Sequence, residues 1–324
     1  MKILIAIFII PLILLGLEMI RFERGKRRAS EQWHNTQVNK IIEPGTTTSL
    51  EIIPLIDWHT SSKKLKSEAG VSYLVKTDKK TILFDMGFNY PAQSDPSPLL
   101  QNLDTLGISL EDIDIIFISH NHPDHIGGRK WQRLETFSLT ASQIPLGTKE
   151  VFTPLPMHYP GLKPVCIEQP TLIAPGIASL GTIPNQLFLA GWTLEQALAV
   201  NVAGKGLVII VGCGHQTLPK ILERAEAVFN EPIYAVIGGL HYPVSDSRIK
   251  PLGFKIQKFL GTGKAPWNPI NTDEVKANIE CLKNRKPQLV ALSGHDSCDE
   301  SLEAFRNAFP GEYKDIRVGE PITM

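Results

Sequence analysis

The chain has 324 residues, 43% apolar and 20% charged, and its 33 Lys and Arg balance 33 Asp and Glu to a formal net charge of zero. That balance excludes a disordered polyelectrolyte and a protein that holds nucleic acid by bulk positive charge. Four cysteines (Cys166, Cys213, Cys281 and Cys298) in so long a chain exclude a disulfide scaffold.

In chain order, Ile3 to Leu17 is an uncharged apolar run. Met19 and Ile20 extend it past Glu18, and Arg21, Arg24, Lys26, Arg27 and Arg28 follow at once. The run is slightly short of the ~20 residues of a membrane span. The basic cluster nevertheless fits an uncleaved anchor better than a signal peptide, because no small-residue cleavage site follows the run. The expectation is therefore an N-terminal transmembrane anchor with a basic flank over 1–28 and a polar linker over 29–49. The rest, 50–324, is expected to be a catalytic domain on the cytoplasmic side of a single-pass cell-membrane protein.

From residue 50 the pattern is α/β. Short apolar runs predict strands at 51–56, 71–76, 81–85, 114–119, 187–190, 197–202, 206–211, 233–237 and 288–292. The turns at 76–80 and 204–206 predict hairpins. Helical spacing predicts helices over 218–229, 272–283 and 301–309. Early hairpins followed by strand–helix alternation imply a two-sheet core with helices outside.

The chemistry is concentrated after the 114–119 strand, in His120-Asn121-His122-Pro123-Asp124-His125. Residues two apart on extended backbone point the same way, so His120 and His122 can share an ion. Asp124 and His125 follow where the chain turns. Three histidines and an aspartate in six residues have no packing rationale, so they read as metal ligands. His215, His241 and His295 each close an apolar strand just past a glycine, as His120 closes its own. His215 and His295 are expected as further ligands, and His241 as a ligand or a substrate contact. His34, His59 and His158 lack that placement and are read as ordinary. Cys213 reads as a small buried residue beneath the site, with soft ligation as the alternative.

These residues resemble the metallo-β-lactamase superfamily, whose His-x-His-x-Asp-His signature is matched by His120, His122, Asp124 and His125. The segment Leu106 to Gly128 is similar to a branch that includes the archaeal dihydropterin–ribofuranosylaminobenzene phosphate synthases. So are Glu195 to Asn201, Gly212-Cys213-Gly214-His215, Ile237 to His241 and the late Gly294-His295. The resemblance implies a four-layer αββα sandwich with two divalent metal ions at one edge, zinc first, with manganese or iron as alternatives. It implies one ion on His120, His122 and His215 and a second on Asp124, His125 and His295, with His215 and His295 interchangeable between the two. It also gives Asp57 and Asp85 as carboxylates that brace the ligand loops.

This sequence departs from the branch at Glu68-Ala69-Gly70, at Leu180 to Pro184 and at His295-Asp296-Ser297-Cys298. The metal ligands survive while positions expected to face substrate do not, which points to a different substrate. The expected function is a metal-dependent hydrolase in which the ion pair activates water against a phosphoester, lactone or similar small molecule, with Asp124 handling the proton. A pterin-type transferase and a non-catalytic binding protein on the same fold are the alternatives. A second basic stretch, 244–270, reads as a lid whose Lys255 and Lys258 could meet an anionic substrate. No nucleic-acid partner is expected, and the membrane enters only through the anchor.

Overall fold

The structure, a computed structural model, describes residues 2–90, 94–250 and 253–324, with side chains of its first helix from Ile10 onward. The first residue of the expected anchor and residues 251–252 of the basic stretch lie outside the described residues.

Two seven-stranded mixed sheets face each other. The first runs, by chain position, through β1 (Leu50–Ile56), β2 (Ser72–Thr77), β3 (Thr81–Phe84), β4 (Ile115–Phe117), β5 (Glu150–Thr153) and β6 (Val165–Cys166). The second contains β7 (Thr171–Ala174), β8 (Ile177–Leu187), β9 (Gly191–Val202), β10 (Gly206–Val211), β11 (Ile233–Gly238), β12 (Leu289–Leu292) and β13 (Tyr313–Asp315). The final strand, β14 (Ile322–Thr323), returns to the first sheet beside β1. The expected hairpins form: β2 pairs antiparallel with β3, and β9 with β10. Later strands β10, β11, β12 and β13 are parallel neighbours, so their C-terminal ends lie along one edge.

Both faces of each sheet are covered, which explains why the strands read as unbroken apolar runs. In β10, Val208 and Ile210 point between the sheets, where they meet Phe84 and Phe117 of the other sheet. Leu207, Ile209 and Val211 point outward onto α4 (Leu218–Val228), α6 (Thr272–Lys283) and α7 (Asp299–Ala308). On the far side, α2 (Pro98–Leu106) and α3 (Arg129–Arg133) cover Leu83 and Ile116. The layers are therefore helix, sheet, sheet, helix. One short helix, α5 (Gln257–Leu260), sits in the basic stretch.

The strand expected at 187–190 is not one: Leu187 ends β8, and Phe188 to Ala190 form the tip of its hairpin with β9. Long β8 and the first half of β9 were not expected, because their polar residues Thr182, Asn185, Gln186, Thr193 and Glu195 hide the apolar alternation.

The N-terminal segment corrects the membrane expectation. Among the described residues, no helix is long and apolar enough to cross a membrane, so the single-pass location falls. Helix α1 (Lys2–Asn35) carries Pro11 inside the apolar run and continues unbroken through the basic cluster and into the residues expected as linker. Its second half is seated on the sandwich. Phe22 packs edge-on against Phe188 and Trp267, with ring centroids 5.7 and 6.4 Å away. Gly25 lets the helix approach β8, where a Cβ would overlap the Gln186 side chain. The charges are used locally. Glu18 accepts from the Leu189 amide at 2.9 Å, Lys26 donates to Asn185 Oδ1 at 2.9 Å, and Arg28 lies over the Trp192 ring.

That seating has a pH signature. Burial, with help from the Lys220 and Lys264 charges, lowers Lys26 from the usual 10.5 to about 8. Between those values the unfolded chain keeps the proton and the folded chain has lost it, so stability rises with pH. Below about 8 both states are charged, and above 10.5 both are neutral, so the contribution is flat. Thermal unfolding midpoints of the native chain should therefore climb relative to those of Lys26→Met across that window. Parallel curves would mean that Lys26 is not desolvated by the seating.

Candidate metal centre

Four strand ends converge at one edge. His120 follows β4, Cys213 and His215 follow β10, His241 follows β11 and His295 follows β12. The two sheets are stitched there by a bridge between His120 and Glu195 and by the Gln196 amide donating to Ser119 O at 2.9 Å. Imidazole centroids lie 4.6 Å apart for His120 and His122, 4.8 Å for His122 and His215, and 5.4 Å for His125 and His295. Among the described residues four groups of donor atoms result, each within 4.8 Å: Asp124, His125, Cys213 and His295; His120, Cys213 and His215; Asp85, His120 and His125; and Cys213, His241 and Asp296. His122 belongs to none of these groups, but its Nδ1 lies 3.1 Å from His215 Nε2.

The outer hydrogen bonds assign the tautomers. Ser119 Oγ donates to Asp85 Oδ2 at 2.6 Å, so the same oxygen accepts the His120 Nδ1 proton at 2.9 Å. His120 Nε2 is then a lone pair, buried and without a partner. Ser293 Oγ likewise donates to Asp57 Oδ2 at 2.6 Å and accepts from His295 Nδ1 at 2.7 Å. His215 Nδ1 donates to Gly261 O at 2.7 Å. His125 donates from Nδ1 to Asp85 Oδ2 at 2.6 Å. His122 turns Nε2 to Thr193 Oγ1 at 3.4 Å, leaving Nδ1 against His215 Nε2. Four lone pairs, those of His120, His122, His215 and His295, are thus turned inward, beside the Nε2 of His125. Lone pairs at such distances repel, and a cation between them removes the repulsion, which is how a metal site fixes its histidines through their outer nitrogens.

The electrostatics agree. Burial and neighbouring imidazoles push His120, His215 and His295 well below the ordinary histidine value, and push His122 to about 3. These four are neutral, as ligation requires. At His125 burial acts downward, but the Asp85 and Asp124 carboxylates outweigh it and hold the ring at about 9. The imidazole, carboxylate and thiol donors fit a divalent transition-metal ion.

Behind the cage, each ligand loop closes on a buried carboxylate. Asp85, held at a left-handed φ of 59°, accepts from the Ser119 amide at 2.7 Å as well as from the Ser119 hydroxyl. Asp57 accepts from Tyr73 OH, the Ser293 hydroxyl and the Gly294 amide. Glu195 takes three successive amides of the β10 loop: Cys213 and Gly214 at 2.9 Å and His215 at 2.6 Å. Asp296 takes the His241 amide at 3.0 Å. Burial raises Asp57 to about 6 and Glu195 to about 7, against the pull of those hydrogen bonds.

The stretch 244–270 covers the cage, but its lysines face elsewhere. A cavity of about 160 Å³ lies over the cluster, lined by His122, Asp124, Cys213, His215, His241 and Asp296, and roofed by Ile249, Ile256 and Leu260 with Leu187. Gln257 also lines it and reaches back to the His295 carbonyl. Lys255 instead donates to Ser245 O at 2.6 Å, and neither it nor Lys258 lines the cavity. The structure thus brings together His120, His122, Asp124, His125, His215, His241 and His295. It sets Asp57 and Asp85 just behind them and leaves the two lysines outside.

Two site residues, Glu195 and Asp296, escape the sequence reading, and Cys213, read there as packing beneath the site with soft ligation as the alternative, lies among the donor atoms. Glu195 had a signal, a lone carboxylate inside an apolar strand. Asp296 had only its adjacency to His295.

The chain matches the model of the metallo-beta-lactamase superfamily over residues 66–131. It is 27% identical over 239 residues to a 7,8-dihydropterin-6-methyl-4-(beta-D-ribofuranosyl)-aminobenzene-5'-phosphate synthase of Methanocaldococcus jannaschii, an alignment covering 61% of this chain and 79% of that one. Among solved structures it resembles Tm1679, described as a metal-dependent hydrolase of the beta-lactamase superfamily. The TM-score is 0.56 at 23% identity, over 84% of this chain and 98% of that one. It also resembles the metallo-beta-lactamase fold protein YhfI of Bacillus subtilis, with a TM-score of 0.53 at 15% identity over 86% and 100% of the two chains. The sandwich is the metallo-β-lactamase fold, as the signature residues had implied.

Glu195→Gln keeps the side chain's size but turns a donor toward one of the three amides it now accepts from. Such outer-shell losses weaken metal binding by roughly 10–100-fold. Competition against a chelator should show that loss in a chain with unchanged far-ultraviolet circular dichroism. Native-like affinity would remove Glu195 from the site's support.

Proposed function

We propose that the chain is a metal-dependent hydrolase of small ester-type substrates, with two divalent cations as its cofactor and zinc as the first choice. The observation that carries the reading is the cavity: a small apolar chamber opening directly onto the inward-facing lone pairs and onto Asp124. His120, His122 and His215 would hold one ion, and Asp124, His125 and His295 the other. Divalent ions bound there would supply Lewis acidity toward water and toward a carbonyl or phosphoryl oxygen.

The chain's own residues divide the remaining work. Asp124 lines the cavity with its side chain 22% exposed, and it is the one signature carboxylate there, so it can take the proton of the attacking water. His241 points its buried, unpartnered Nδ1 at the same space and can accept a hydrogen bond from substrate. Its left-handed φ of 53° is backbone strain of the kind that persists at functional positions. Leu187, Ile249, Ile256 and Leu260 exclude water and receive an apolar group. Among the described residues no Lys or Arg lines the chamber, which favours a lactone or carboxylic ester over a phosphomonoester.

A second reading is a transferase forming a C–N bond on a pterin. The likeness to the archaeal synthase over 61% of the chain favours it. The replaced positions at Glu68-Ala69-Gly70 and His295-Asp296-Ser297-Cys298 weigh against it.

The full chain, loaded with zinc, should be assayed against lactones, aryl esters, phosphodiesters and the pterin condensation. Metal-dependent hydrolysis of a lactone or ester is expected, reduced by about 10²–10⁴-fold in Asp124→Ala. His122→Ala should lose metal as well as turnover. Pterin condensation without ester hydrolysis would establish the second reading, and full activity after metal removal would contradict both.

A further inference from the structure

We propose that the cavity between helix α1 and the β8–β9 hairpin is a second ligand site, separate from the metal centre, and that it takes a small aromatic carboxylate. The cavity holds about 230 Å³ and shares no lining residue with the metal chamber. The hairpin itself divides the two. Pro184 of β8 and Trp192 and Leu194 of β9 line the cavity. Their neighbours Asn185 and Thr193 turn the opposite way, as alternate strand residues must, and meet the His215 carbonyl and His122 Nε2.

Arg224 carries the assignment. It lines the cavity, is 3% exposed, and among the described residues pairs with no carboxylate. Its Nη1 donates to Leu180 O at 3.1 Å, which leaves most of the five N–H donors of a guanidinium unused. Burial lowers it from the usual 12.5 to about 10, so it stays charged at neutral pH. A charge is rarely so buried without a counter-ion, because its desolvation is then uncompensated. The planar fork of a guanidinium matches a carboxylate, which accepts two parallel hydrogen bonds from it.

Seating α1 does not account for this arginine. Trp33 of α1 lies under Arg224, its ring centroid 5.1 Å from Cζ, but Lys220 Nζ stands over the same ring at 5.2 Å. An aliphatic side chain would cover the indole without burying a charge.

The walls define the rest of the ligand. Arg28 Cζ lies 4.6 Å from the Trp192 ring, so the cavity is walled by two indoles, each under a guanidinium. Flat aromatic walls receive a flat ring. The charged residues of the lining are Arg28, Arg224 and Glu168, two positive against one negative, which leaves one positive charge to balance. A carboxylate balances it, whereas Glu168 opposes a dianionic phosphate.

Isothermal titration of the full, metal-loaded chain with benzoate tests the site, with benzamide as its uncharged match and phenyl phosphate as the dianion. Benzoate should bind with a Kd of about 1 mM or tighter, and the other two at least tenfold more weakly. Arg224→Gln should weaken benzoate by about 10–100-fold and leave metal content unchanged. No saturable binding of benzoate, or benzamide bound as well as benzoate, overturns the proposal. Phenyl phosphate bound more tightly than benzoate overturns the carboxylate. Benzoate binding that survives Arg224→Gln also overturns the proposal, since the carboxylate then sits on the metal centre or elsewhere. If Arg224→Gln does not fold, the exposed Arg28→Gln decides: a loss of about threefold or more is expected, and unchanged affinity overturns the site.

Discussion

Burying carboxylates beside a cluster of neutral imidazoles is the constraint on which this edge of the molecule depends. Asp57, Asp85 and Glu195 are fully buried, and among the described residues none has a lysine or arginine partner. Burying a charge costs several kcal/mol even after relaxation. Each is offset by three or four hydrogen bonds worth about 1.5–3 kcal/mol apiece when the acceptor is charged. Those bonds land on the amides, hydroxyls and ring nitrogens of the loops at the strand ends. The carboxylates therefore position the histidines instead of merely tolerating burial.

Positioning and tautomer come from the same bonds. Ser119 and Ser293 each stand between a carboxylate and a histidine, donating to one and accepting from the other, and so pin the proton to the outer nitrogen. The fold makes this possible because its parallel strands bring their ends to one edge. The cover, 244–270, is fastened to the ligands themselves: Gly261 O holds His215, and the Gln257 carbonyl and side chain meet His241 and His295. A change in ligand orientation is then felt at the cover, and the cover's position constrains the ligands.

The histidine packet was readable in the sequence because its ligands are local and its residue types have no packing purpose. Strands β4, β10, β11 and β12 were readable for the opposite reason, since burial on both faces leaves them almost wholly apolar. What was not readable depends on partners distant in sequence. Cys213 looks like any small buried residue until His125 and His295, 88 and 82 positions away, are seen against it. Lys255 and Lys258 were chosen by charge, whereas the cover turns Ile249, Ile256 and Leu260 inward. Helix α1 misled because apolar length next to basic charge looks the same whether Phe22 and Lys26 meet lipid or Phe188 and Asn185.

The central claim is that the outer hydrogen bonds turn five imidazole nitrogens onto one centre. Long-range proton–nitrogen correlation spectra of the histidine rings in the zinc-loaded chain read each tautomer directly. The predicted result is a proton on Nδ1 of His120, His125, His215 and His295 and on Nε2 of His122. A proton found on any of the inward nitrogens, His120 Nε2 above all, would contradict it.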